Sequence, residues 1–442
     1  MTLAWSVVHR VDGKPVDKIE LSDARSTLMN VHPPLAERAV EVLPWLVGFY
    51  LSFRVFIMLL SVRWFWLEAD TGVAVNLTLN YLLLGLVLFN CPPQRTGHLS
   101  ALLKLPPVRW VMLFLCFSCL SLLWSSTASL SAAVAFWGAM AADTAMMLVF
   151  LMGDDPQCVA SSVMKGFVWG ACLVAVIAWI LPAQSDLRLG DEELLGPNQI
   201  GWVCGFAMYF AQYLMRSKDG KWGIIAGFLA ITLLRSLSKT AIVAVIISQV
   251  YLLLFDRTMS LRSKVWLVVG SIVTLAVFWS LLSSYYTVYT TAGNSPETLT
   301  GRLGIWAYIL DEAIQQPWAG HGFHSVWKVI PSFGEFEARH AHNEWLQQFY
   351  AYGVVGLALL IGLYGGLWRY LRRLPKHEPM RVLFNSMILL VLVRGITDTE
   401  PFDLSLPLWA ITLIAALVGQ RLELAKEIMP NWEPIPDNQK PT

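Results

Sequence analysis

VWLVVGSIVTLAVFWSLLSSY, residues 265–285, runs for 21 residues without a charged side chain. A helix needs about 20 predominantly apolar residues to cross the hydrocarbon core of a bilayer. In lipid, such a segment satisfies its backbone only by folding on itself, so a helix is the expected conformation. Working outward, comparable runs recur along the 442-residue chain at 42–62, 72–90, 108–125, 129–153, 161–183, 198–215, 221–236, 240–256, 349–372, 380–396 and 405–423. About twelve spans follow, and with them an all-α, polytopic membrane protein. Composition agrees: 56% of residues are hydrophobic and 14% are charged, where a soluble domain carries roughly 25% charged residues. The 20 Trp and 13 Tyr suit aromatic belts at the two membrane surfaces. A net charge of +1 carries no argument for nucleic acid, and no such partner is expected.

The basic residues orient the spans. With a cytoplasmic N-terminus, 23 of the 32 Lys and Arg residues fall in cytoplasmic segments or at the cytoplasmic ends of spans, as the positive-inside rule asks. Both termini are then cytoplasmic. The chain divides into a cytoplasmic segment 1–41, spans 1–9 over 42–285, a large outer loop 286–348, spans 10–12 over 349–423 and a tail 424–442, with disorder expected from Pro430. Residues 1–41 are polar and hold no apolar signal-peptide core. The six cysteines, Cys91, Cys116, Cys119, Cys158, Cys172 and Cys204, lie in spans or cytoplasmic turns, so no disulfide is expected in the outer loop.

That loop holds the unusual residues. In GRLGIWAYILDEAIQQP (301–317), Leu303, Trp306, Ile309, Leu310 and Ala313 recur at helical spacing and Pro317 marks a stop. An amphipathic helix on the membrane surface is expected. Gly320 and Gly322 then suggest a tight turn. ARHAHNEWLQQFYAYGVVG (338–356) runs into the tenth span and places His340 and His342 at the outer mouth of a helix. Elsewhere, Arg54 and Asp143 lie inside spans, where charge marks a function or a break. Asp398, Glu400 and Asp403 cluster beyond the eleventh span. They read either as divalent-ion ligands or as a solvated turn paired with Arg394, and no metal is assigned.

These motifs resemble those of the O-antigen ligase and polymerase superfamily. His342-Asn343, nine residues and Gly353-Val-Val-Gly356 are similar to the ligase signature of His, then Asn, Ser or Gln, nine residues and G-x-x-G. Arg302-Leu303, Trp306, Pro317, Gly320 and Gly322 follow the shared R-L-x-x-W…P-x-x-G-x-G stretch, and Pro197-Asn198-x-x-Gly201 the entry to a middle span. In SLSKTA (236–241) Lys239 stands where relatives often carry Arg. The resemblance implies a metal-independent, GT-C-like transferase without a cofactor, multi-pass in the bacterial inner membrane and active at the periplasmic face. It would move a polysaccharide from undecaprenyl diphosphate to a sugar hydroxyl of lipid A-core, with inversion.

Attack at the anomeric carbon needs a base for the acceptor hydroxyl, and a neutral histidine suits neutral pH. His342 is expected to fill that role. The leaving diphosphate needs cationic donors that strengthen as charge develops. Arg302 and Arg188 are assigned there, and Lys239, Asn198, Asn343 and His340 to substrate binding. The bland alternatives are an interfacial, snorkelling Arg302, an Arg188 paired with loop carboxylates, and an Asn198 that caps a helix. His340, His321 and His324 read more readily as structural. An O-antigen polymerase and a lipid-linked glycan flippase are the rival functions.

Overall fold

Helix bounds follow the apolar runs closely. The computed structural model describes residues 42–90, 96–184, 186–191, 194–216, 220–291, 299–327, 340–376, 378–400 and 403–428, with a two-residue antiparallel pair, Arg10–Val11 against Lys14–Pro15. The rest of segment 1–41 and the tail from residue 429 lie outside the described residues. The helices are α1 (Val42–Leu59, prolonged by a wide turn Leu60–Trp64), α2 (Ala69–Asn90), α3 (Thr96–Lys104), α4 (Pro106–Ser121), α5 (Leu130–Gly153) and α6 (Pro156–Ile180). They continue with α7 (Pro197–Met215), α8 (Lys221–Arg235), α9 (Lys239–Phe255), α10 (Leu261–Val277), α11 (Trp279–Thr291), α12 (Leu299–Gln315), α13 (Glu344–Leu371), α14 (Pro379–Arg394) and α15 (Leu408–Ile428). Every one of the twelve apolar segments coincides with helix. By length and composition, α1, α2, α5, α6, α13 and α15 can cross a membrane, and the bent pair α10–α11 would be a seventh.

The structure departs from the sequence reading at 265–285, which is broken at Phe278 and bent by 55°. Neither Pro nor Gly stands at the break. Ser271 and Thr274 instead donate to the carbonyls of Leu267 and Gly270, each at 2.8 Å, and such back-bonding bends helices. The segment 286–348, expected as a loop, has helix at both ends, since α11 continues to Thr291 and α13 starts at Glu344.

Small residues set the tightest crossing. A Cβ at Gly48 of α1 would stand 2.1 Å from the Val163 carbonyl, and one at Gly166 of α6 would stand 1.9 Å from the Trp45 carbonyl. Without a hydrophobic drive between helices in lipid, close backbone approach is what holds such pairs together. Aromatic rings fill the centre: Phe167 of α6, Phe210 of α7 and Trp409 of α15 lie 5.2–6.2 Å apart.

The intramembrane charges pair with each other. Arg54 reaches Asp143 at 2.5 Å, Asn80 donates to the same carboxylate at 2.9 Å, and Asp403 stands 3.9 Å from Arg54. Charges in lipid are tolerated when paired, and here they join α1, α2 and α5 to the loop before α15.

The motif glycines have a shared purpose. Gly353 adopts φ 63°, ψ −154° inside α13 and breaks it. A continuous helix would bond the Val354 and Val355 N–H groups to the Tyr350 and Ala351 carbonyls. The turn 317–322 supplies all four missing partners. Val354 donates to the Pro317 carbonyl at 2.7 Å and Val355 to Trp318 at 3.3 Å, while His321 and Gly322 donate to Tyr350 and Ala351 at 2.9 and 2.8 Å. A Cβ at Gly353 would stand 2.4 Å from the Trp318 carbonyl, and one at Gly320 would stand 2.4 Å from the Tyr352 nitrogen. Gly353→Ala is therefore expected to cost about 1–3 kcal/mol in backbone strain alone. Lower thermal stability in detergent at reduced membrane abundance is the expected readout, and a wild-type melting temperature would contradict this account of the break.

Candidate functional site

Several connections converge on one end of the bundle. The loop after α6 turns through Leu187 (φ 69°) and is held by Arg235, which donates to the Leu187 carbonyl at 2.8 Å. Arg188 follows, buried and paired with Asp186. Asn198, in the first turn of α7, accepts from Ser238 at 2.8 Å. Lys239 opens α9, its ammonium 5.4 Å from the centre of the Tyr285 ring. Arg302 of α12 donates to the Thr397 carbonyl, and its buried Nε has no hydrogen bond among the described residues. Thr397 in turn donates to Thr240 at 3.1 Å.

Arg188, Asn198, Lys239 and Arg302 line one cavity of about 340 Å³, walled by Leu237, Thr240, Val243, Val393, Ile396 and Thr397. Small-molecule pockets span about 300–1,000 Å³. The lining holds three cationic side chains and no carboxylate, so it favours an anion. Arg188 thus keeps its loop ion pair and faces the cavity as well.

The histidine motif lies across the 395–398 loop from this cavity. Asn343 caps α13, accepting from the Leu346 N–H at 2.9 Å, and donates to the Ile396 carbonyl at 2.8 Å. Its amide is engaged with backbone rather than with the cavity. His342 takes φ 48°, and its Nδ1 stands 3.6 Å from Asp398 Oδ1. Arg394 holds the other Asp398 oxygen at 3.0 Å and Glu400 at 2.8 Å. Burial pushes the Asp398 carboxyl up, but Arg394, and behind it His342 and His340, bring it well below the usual carboxylate range. An ionised Asp398 facing Nδ1 favours the tautomer protonated there, which leaves Nε2 with its lone pair. His340 packs on His342 with ring centres 4.0 Å apart, and its Nδ1 accepts from the His342 N–H at 3.2 Å. Burial first, then His342, hold His340 well below the usual imidazole range, so it is neutral.

The acidic cluster is not a solvated turn. Asp398 is buried and ion-paired with Arg394, whereas Asp403 turns away toward Arg54. His340, His342 and Asp398 do offer ligating atoms within 4.8 Å of one another, a geometry open to a metal ion. Any cation there would compete with Arg394 for Asp398. His321 accepts from or donates to nothing in the cavity: its Nε2 lies 3.1 Å from the Glu312 carbonyl and its ring stacks on Tyr350. His324 contacts Thr127 at 2.8 Å, stacks on Phe136, and is pushed down to about 4 by burial. On α12 the buried face is Ile305, Ile309 and Ala313, packed on Tyr350. Leu303, Leu310 and Ile314 remain exposed, so the expected apolar stripe is divided between α13 and the surroundings.

Sequence reasoning undervalued Asp398 and Arg394, although their i, i+4 spacing is an ion-pair signal. Arg394 is 3% exposed. Arg394→Met leaves Asp398 and Glu400 uncompensated and is expected to cost about 3–5 kcal/mol. Arg302→Met, which frees no buried carboxylate, should cost much less. Thermal melts of the two variants check this, and equal losses would contradict the assigned ion pairs.

Residues 224–361, from α8 into α13, match the O-antigen ligase family. The match includes Lys239, Arg302, His342 and Gly353, and stops short of Asp398. The chain is similar to the exopolysaccharide production protein ExoQ of Rhizobium meliloti, 21% identical over 321 residues that cover 66% of this chain and 72% of that protein. It is also similar to an O-antigen ligase of Pseudomonas aeruginosa, 28% identical over 116 residues, 24% of this chain and 27% of that one.

Proposed function

From the chain's place in the O-antigen ligase superfamily, we propose that it transfers a polysaccharide from undecaprenyl diphosphate to a sugar hydroxyl of lipid A-core. The observation that carries this reading is the cavity lined by Arg188, Lys239 and Arg302 without a carboxylate, beside His342 and its buried partner Asp398. In the proposed step, His342 takes the acceptor hydroxyl proton and the oxygen attacks the anomeric carbon. The bond to the diphosphate breaks, and undecaprenyl diphosphate leaves with the electron pair. Its growing charge falls to the three cations, whose donors are set in place beforehand. In this reading the cavity end of the bundle faces the periplasm of a multi-pass inner-membrane protein, a side supported by the distribution of basic residues. Val243, Ile246, Ile247, Val250 and Leu254 form an exposed apolar stripe on α9 that begins at the cavity and offers the polyprenyl chain a path into lipid.

One displacement inverts the anomeric centre, and no second nucleophile faces the reacting carbon in this scheme. Arg394, which holds Asp398, and Arg302, whose charge reaches His340, disfavour a divalent cation and support a metal-independent step. A polymerase with the same donor and a growing glycan as acceptor is the second reading, favoured by the likeness to an exopolysaccharide production protein. A flippase is disfavoured because Arg188, Lys239 and Arg302 gather in one cavity at one end of the bundle instead of along a path through it.

His342→Ala is expected to insert normally and lower transfer about 10²–10⁴-fold, the usual worth of a general base. Near-normal transfer at equal abundance would overturn that role. Arg302→Ala should lose activity and Arg302→Lys recover part of it, since an ammonium lacks the guanidinium's two-pronged grip on phosphate. Full specific activity in Arg302→Ala would leave Arg302 a surface anchor.

Transfer should also persist in excess chelator and give an inverted linkage by NMR. Activity that collapses with chelator and returns with magnesium or manganese would move the chemistry to the His340, His342 and Asp398 cluster. A retained configuration would require a covalent intermediate.

A further inference from the structure

Glu344, two residues after His342, is 1% exposed. It is the first residue of α13, where a carboxylate would ordinarily stand in water near the helix N-terminus. Instead its Oε1 accepts from the Tyr364 hydroxyl at 2.8 Å and from the Ser405 N–H at 2.7 Å. Its own N–H donates to the Gly395 carbonyl at 2.8 Å. Gly395 packs so closely on it that an added Cβ would stand 2.8 Å from Glu344 Oε2. The Tyr364 hydroxyl is met in turn by the Leu406 N–H at 3.3 Å.

These contacts join three pieces. The short helix 344–352 carries His342 at its head. Beyond the break at Gly353, Tyr364 belongs to the long remainder of α13. The loop 395–406 carries Asp398. Glu344 ties all three together, although it is not among the residues that line the cavity. Burying a carboxylate is costly unless its oxygens are hydrogen-bonded, and the donors that meet it here are those that fix the Asp398 loop to the His342 junction.

We propose that Glu344 is a positioning residue: with Tyr364, it sets the separation of His342 and Asp398, and so the placing of the base toward the acceptor hydroxyl. This rests on His342 acting as the base. A misplacement of about 1 Å can cost about 10²-fold in rate. Glu344→Ala should therefore lower kcat about 10²-fold while the KM for the polyprenyl-diphosphate donor stays within about threefold, because the cationic cavity is untouched. Glu344→Gln keeps an oxygen for Tyr364 and Ser405 and should restore most of kcat. Tyr364→Phe leaves the buried carboxylate in place and should reproduce the Ala signature in milder form, and it serves where Glu344→Ala fails to fold.

Steady-state transfer by purified full-length variants, scaled to folded protein, is the test. Unchanged kcat in Glu344→Ala, or in Tyr364→Phe, would reduce Glu344 to a structural tie. A Gln variant as inactive as Ala would show that the charge itself is needed and would equally overturn positioning. An active His342→Ala would remove the base on which the proposal rests, an outcome read independently of the Glu344 series.

Discussion

Four backbone hydrogen bonds between the 317–322 turn and the break at Gly353 hold the arrangement together. They replace the four groups that α13 loses by breaking, so the break costs little hydrogen bonding despite its depth in the protein. The exchange has two geometric consequences. It seats α12, with Arg302, against the first turns of α13. It also turns the segment 344–352 away from the rest of α13, so that His342 meets the loop after α14. The G-x-x-G and P-x-x-G-x-G motifs are thus the two halves of one junction. Glycine is needed at each half because another backbone already occupies the place of a Cβ.

Around this junction the charges are sorted. Arg394 answers Asp398 and Glu400, and Arg54 answers Asp143 and Asp403. Each buried carboxylate of the 398–403 loop thereby has a cation that is not a cavity residue. The cavity is left with Arg188, Lys239 and Arg302 in its wall and no acid among its lining residues. A site built this way favours an anion, and in the proposed transfer its grip would strengthen as the leaving group gains charge. The acids are also what anchor the loop, so sorting and positioning depend on the same pairs.

Much of this was legible in the sequence, for definite physical reasons. Each of the twelve apolar runs marked helix, because a bilayer imposes a length and a polarity on what crosses it. Arg188, Asn198, Lys239 and Arg302 were singled out on separate motifs, and the fold brings all four to one cavity. The break at Phe278 was hidden because hydropathy does not register serine and threonine bonding back to their own helix. Asn343 gave no sign in sequence that both ends of its amide would be engaged with backbone. Asp398 and Glu344 were underread for a similar cause. Acids beside a span look solvated until the fold shows which donors close over them.

In the proposed function the cationic cavity and His342 together transfer a lipid-linked glycan. That claim is tested most directly by incubating the purified protein with undecaprenyl-diphosphate polysaccharide and lipid A-core and following both lipids. The account predicts polysaccharide joined to lipid A-core, with undecaprenyl diphosphate released. A donor that only lengthens would identify a polymerase instead, and two unchanged lipids in the presence of folded protein would contradict the claim.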